Sequence, residues 1–148
     1  MPNWCWNKVR IVGSKSRIDE LVSLMNGENC FDFNKVAPYP EHFKARDEAS
    51  GDAHEGFNNG GFNWCNWNWG TMWNSWEPSM VRRKDGRVVT YSYDTAWSAS
   101  LPLTSALSTL FPELKFTHSW REDDNDDKGK QKFWNGGEDW EGDEDGDE

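Results

Sequence analysis

The sequence predicts an α+β domain: an antiparallel sheet with two helices packed on one side and nothing regular on the other. Three observations predict it. Several segments alternate apolar and polar residues with the period of a strand. Two segments place apolar residues on one helical stripe. Their order along the chain is strand, helix, strand, long interruption, strand, helix, strand.

The first strand is Asn7-Lys8-Val9-Arg10-Ile11-Val12-Gly13, with Val9 and Ile11 on one face; Trp4 and Trp6 precede it and Gly13 ends it. Ser14 or Ser16 then caps a helix. Ile18, Leu21, Val22 and Met25 share its inner face, and Asn26-Gly27 stops it. Cys30-Phe31-Asp32-Phe33-Asn34-Lys35-Val36 alternates again and reads as a second strand, halted at Pro38 and Pro40. From Glu41 to Gly61 the composition is polar and glycine-rich, the mark of a surface insertion.

Asn63–Trp76 follows, with five of the chain's eleven tryptophans separated mainly by asparagine. Asn, Gly, Thr and Ser favour turns, so this stretch reads as an ordered aromatic loop with at most short strand pieces. Arg87–Asp94 is rich in β-branched and aromatic residues and predicts the third strand, entered by the Asp85-Gly86 turn. Pro102 opens a second helix with Leu103, Ala106, Leu107 and Leu110 facing in. Leu114–Trp120 is the fourth strand, with His118 on its apolar register as a core or half-buried histidine rather than a ligand. Lys132–Asn135 could add a fifth at the edge.

This β-α-β-β-α-β order is that of a ferredoxin-like sandwich. The expected layout is one domain over residues 1–135, with an insertion at about 41–80 between the second and third strands, and a disordered acidic tail over 136–148. The helix-free face needs cover, because soluble monomers avoid large bare apolar patches. The tryptophans are expected mainly over that face or its rim.

Charge is unevenly placed. Glu122–Glu148 holds thirteen acidic residues and three lysines, whereas Met1–Arg121 holds thirteen of each sign. A neutral body gives no footprint for phosphate backbones, which argues against nucleic acid as the partner. Cys5, Cys30 and Cys65 form no C-x-x-C, so neither a disulfide framework nor a metal site is expected, and no cofactor is implied. With no apolar run long enough for a bilayer, the expectation is a cytoplasmic protein with no membrane partner.

Three separated motifs resemble the YubB/Api92-like family, proteins with a ferredoxin-like domain carried by phages and plasmids. They are Met1-Pro2-Asn3-Trp4-Cys5, Asn68-Trp69-Gly70-Thr71, and Tyr91–Ser98 with the following Phe111-Pro112. Where the family loop usually continues from Gly-Thr with a basic residue, this chain has Met72. The resemblance implies the fold and a mobile-element origin. It supplies no catalytic residues.

No nucleophile–base signature, phosphate loop or metal motif occurs, and Asp94 is the one tempting acid, with a turn or cap as its ordinary role. The expectation is a non-enzymatic binding protein of a phage or plasmid. It would counter a host defence system by binding a host protein, such as a nuclease or other defence component, or by sequestering a small nucleotide-like ligand. The alternative is a nucleotide or single-stranded nucleic-acid module using the aromatic loop. The candidate recognition surface is Trp67, Asn68, Trp69, Gly70, Thr71, Trp73 and Trp97.

Overall fold

The structure is a computed structural model and describes residues 2–123 and 127–137. The expected disorder of the tail therefore falls almost wholly outside the described residues. A five-stranded antiparallel sheet runs β2-β3-β1-β4-β5, built from β1 (Trp4–Val12), β2 (Trp76–Arg82), β3 (Val88–Ala96), β4 (Lys115–Glu122) and β5 (Lys128–Trp134). The helices are α1 (Lys15–Met25), α2 (Glu41–Ser50), α3 (Phe62–Asn68) and α4 (Leu101–Leu110). The first four strands, with α1 and α4, make the ferredoxin-like frame, and β5 is an added edge.

Alternation along β1 sorts the two sides. Cys5, Asn7, Val9 and Ile11 are fully buried beneath the helices, while Trp6 and Lys8 between them are exposed. Ser14 caps α1 by accepting from Arg17 N–H at 3.3 Å, and Ile18, Leu21 and Met25 carry its stripe onto the sheet. On α4 the buried residues are Leu103, Thr104, Leu107 and Ser108. Leu110, expected to face in, is half exposed, because the stripe continues to Phe111 instead.

The second strand is not at residues 30–36. Those residues form a turn and a short 3-10 helix, Phe33–Lys35, started by the Asp32 carboxylate accepting from Asn34 N–H. Phe31 and Phe33 are both fully buried, so the alternation that mimicked a strand is that of two core anchors. Phe31 lies 4.5 Å from the Tyr91 ring and 4.8 Å from that of Tyr93. The real second strand, β2, follows the insertion. It is an edge strand with mostly exposed side chains, and it tolerates Pro78 at a register shift between Trp76 and Ser79. The insertion accordingly lies between α1 and β2.

Nor is the insertion only loop. Glu41–Ser50 forms α2 with no buried residue, and Phe62–Asn68, within the tryptophan-rich stretch, forms α3. Asn66 and Asn68 donate their amides back to the carbonyls of Phe62 and Trp64, each at 2.9 Å, which steadies a helix of poor intrinsic propensity.

The tryptophans divide. By register, Trp4, Trp6, Trp76 and Trp134 lie on the helix-free side. Trp64 and Trp69 instead pack against the core on the helix side, with ring centroids 5.5 Å apart. The helix-free face is therefore not blanketed by indoles. Most of it is polar, as Lys8, Arg10, Thr90, Ser92, Ser119 and Lys130 show, so it does not need apolar cover.

Candidate ligand pocket in the insertion

The insertion is stapled at its base. Asn74 Nδ2 donates to Asp32 Oδ1 at 2.9 Å, and Asn74 Oδ1 accepts from Phe33 N–H at 2.9 Å. Ser75 Oγ donates to the Phe31 carbonyl at 2.7 Å. Burial pushes the Asp32 carboxyl up, but N–H donors of Glu28 and Asn34 and the amides of Asn74 and Asn34 outweigh it and hold the carboxyl below its usual range. Asp32 is thus a folding anchor whose charge is already satisfied.

A second tie joins two of the sequence motifs. Thr71, fully buried, donates its hydroxyl to the Ala96 carbonyl at 2.7 Å, and Ser98 donates to the Gly70 carbonyl. Gly70 has φ +85°, and a Cβ there would come within 2.5 Å of Pro102 and 2.8 Å of the Ala99 carbonyl oxygen. Only glycine suits both the left-handed backbone and that approach. Gly70 and Thr71 therefore hold the loop to the sheet rather than facing a ligand.

Between α2, α3 and the turn over residues 69–74 lies a cavity of about 860 Å³. Its apolar walls are Tyr39, Phe57, Trp69 and Trp73; Lys44, His54, Asn58, Glu28 and Glu41 give it polar edges. Trp69 is only 4% exposed and donates its indole N–H to the Ala37 carbonyl at 2.8 Å. Its edge-on contact with Phe33, at 5.6 Å, joins the wall to the core. Trp73 is 43% exposed and is the wall that meets solvent.

A second carboxylate lining the pocket, Asp47, is also engaged. It accepts from Tyr39 Oη and from Phe57 N–H, each at 2.7 Å. Burial raises it, but these donors prevail and hold it below the usual range. Burial pushes the Cys65 thiol up to about 12, which keeps it protonated and non-nucleophilic near neutrality. No group of His, Cys, Asp and Glu among the described residues is placed to hold a metal ion.

The remaining expected surface residues lie apart from this cavity. The Asn68 side chain is used on the Trp64 carbonyl. Trp67 stands on the outer face of α3, 77% exposed, and Trp97 follows β3, 52% exposed with φ +71°. Neither lines the pocket. Tyr39, Phe57, Asp47, Lys44 and His54 were not singled out from the sequence. The signal that could have found them is the aromatic Tyr39 between two prolines, followed by the helix formers of Glu41–Ala49.

Asp94 is no cap. It lies within β3 on the helix-free face, in register with Trp6 on one side and Trp76 on the other. Burial, then Asp123 and Glu77, hold its carboxyl above the usual range. His118 is fully buried among neutral donors and acceptors. Its Nε2 donates to Asn7 Oδ1 at 2.8 Å, and Nδ1 accepts from the Thr104 hydroxyl at 2.8 Å. Burial drives its pKa down to about 3, so the ring is neutral and structural.

Residues 69–148 match the family model described as the ferredoxin-like domain in Api92-like protein. The chain belongs to the Api92-like family. The crystal structure of protein api92 from Yersinia pseudotuberculosis superposes with a TM-score of 0.59 at 11% identity, covering 96% of this chain and 99% of that one. At that identity the likeness concerns the fold. No curated protein matches the chain. No described helix is long and apolar enough to cross a membrane.

Proposed function

We propose that this Api92-like protein is a non-enzymatic binding protein whose ligand seat is the insertion pocket. The observation that carries this reading is the cavity of about 860 Å³ walled by Tyr39, Phe57, Trp69 and Trp73, with Trp69 rooted in the core and Trp73 open to solvent. Its volume lies in the range of small-molecule sites, on the order of 300–1,000 Å³. Aromatic walls with a few polar edges suit a flat, nucleobase-sized ligand, and the side chains of Lys44, His54 and Asn58 lie at the pocket edge to meet its polar substituents. The groups best able to do chemistry are otherwise engaged: Asp32 and Asp47 as hydrogen-bond anchors, Cys65 as a protonated thiol.

In the cell such a protein would sequester a small nucleotide-like ligand of a host defence system, the setting that a phage or plasmid origin implies. Capture of a host defence protein is the other form of the same role.

The test is titration of the full chain with nucleosides, nucleotides and cyclic nucleotides, read by tryptophan emission. Trp73→Ala is expected to weaken binding roughly tenfold or more, the worth of one stacked base, about 1–3 kcal/mol. Its unfolding midpoint should stay put, because Trp73 lies outside the core. Unchanged emission across the whole panel sinks the small-ligand reading.

A further inference from the structure

The helix-free face carries a charge pattern that the whole-chain balance hides. Lys8 and Arg10 on β1, Arg121 on β4, and Lys128, Lys130 and Lys132 on β5 all project to that side by register. Asp94, toward the β2 edge, is the single carboxylate at the register-paired positions of this face among the described residues. Ser119 and the buried Thr117 fill the positions between the cations. Trp6 is 37% exposed and Trp134 48% exposed, one near each end of the patch. The Arg121 guanidinium sits over the Trp6 ring at 5.8 Å, which fixes that indole on the surface.

The acidic residues that make the chain −10 overall are concentrated beyond Arg121. At about 0.1 M salt the Debye length is only about 10 Å, so a local patch acts through its own charges more than through the distant sum.

We propose that this face, on its β1-β4-β5 side, binds single-stranded nucleic acid. Lys8, Lys128 and their neighbours meet the phosphates, and Trp6 and Trp134 stack on bases. Charge complementarity selects a polyanion. The indoles select an unpaired strand, because the bases of a duplex are stacked on one another and offer no free face. The aromatics that the sequence suggested for such a role, Tyr91, Tyr93 and Phe116, are buried on the opposite side, and Trp120 lies by register on that same helix side. This surface is also distinct from the insertion pocket, so the two readings stand or fall separately.

The experiment is fluorescence anisotropy of short labelled DNA and RNA single strands with the full-length chain over a salt series. Binding that weakens with salt is expected. The double variant Lys8→Glu with Lys128→Glu should weaken it roughly tenfold or more and flatten the log–log salt slope by about 1.4, the value for two lost phosphate contacts. Trp134→Ala should weaken binding while leaving the slope unchanged. The proposal is overturned if the full chain binds no single strand at low salt, or if a duplex of equal length binds as tightly. It is also overturned if binding appears only in a full-length variant whose acidic residues in 138–148 are replaced by amides, because the occupant of the face is then the chain's own acidic segment.

Discussion

The two sides of one sheet follow opposite rules. Under the helices, every position of β1 from Cys5 to Ile11 that points inward is fully buried, even the polar Asn7. Across the sheet, Lys8 and Arg10 keep their charges at the surface. The buried side holds most of its polar atoms in one hydrogen-bonded set, while the Tyr91 hydroxyl is buried there with no hydrogen-bond partner among the described residues. Asn7 donates to Thr95 Oγ1 at 2.8 Å and accepts from His118 Nε2; Thr95 donates to the Ser98 carbonyl, and Tyr93 and Ser100 share a hydrogen bond of 2.7 Å. The other side is more open, and water can complete its exposed groups, although Thr117, Val88 and Ala96 on it are buried. A polar side chain buried without a partner costs free energy, so inward positions are mostly committed to the fold, and that contrast separates residues that hold this fold from residues available to meet something else.

The sharpest break of the contrast is on the covered side. Phe31→Ala removes a fully buried ring between Tyr91, Tyr93 and Phe33 and should cost about 3–5 kcal/mol in urea unfolding. A loss below about 1 kcal/mol would mean the 29–33 turn is not part of the core.

A smaller effect is graded by pH. The folded pKa of His118, about 3, lies below the unfolded value of about 6.5, so the unfolded chain takes up the proton first. Its stability contribution is fully present above about pH 6.5 and is lost as pH falls toward 3, by up to about 1.4 kcal/mol per pH unit. Comparing unfolding curves of the native chain and His118→Gln across that window checks it: the variant should show the shallower pH dependence.

The smallest effect belongs to the open side. Lys8→Ala should leave stability within about 0.5 kcal/mol, as for an exposed residue outside any network. A larger loss, read by the same urea unfolding, would show that the face is structurally committed.

Much of the frame was legible in the residues. β1, β3 and β4 announce themselves because one face of each is buried and the other carries mainly polar residues, and α1 because Ile18, Leu21 and Met25 mark its stripe. β2 was missed because an edge strand with exposed side chains has no inward set to alternate. Phe31 and Phe33 took its place because two anchors two residues apart look like a strand. α2 was hidden for a related reason: with no buried residue, helix formers alone carry no period. α3 was hidden because Asn, Trp and Gly are weak helix formers, and its order comes from Asn-to-carbonyl bonds and the docking of Trp64 and Trp69. Of the candidate surface, Trp69 and Trp73 share the pocket, Gly70 and Thr71 tie it down, and Trp67 and Trp97 stand elsewhere. Sequence proximity could not divide them, since the division depends on which way one turn of helix faces.

The paired ties at Asp32–Asn74 and Thr71–Ala96 have a consequence for how such a chain can change over time. They clamp both ends of a long excursion to the frame, and Trp69 roots its middle in the core. Residues of α2, none of them buried, and the solvent-facing Trp73 can then drift, and new specificities can be tried at little risk to folding. The clamps localise innovation, leaving the sheet and its docked tryptophan as a chassis and the outer rim of the excursion as its exchangeable part.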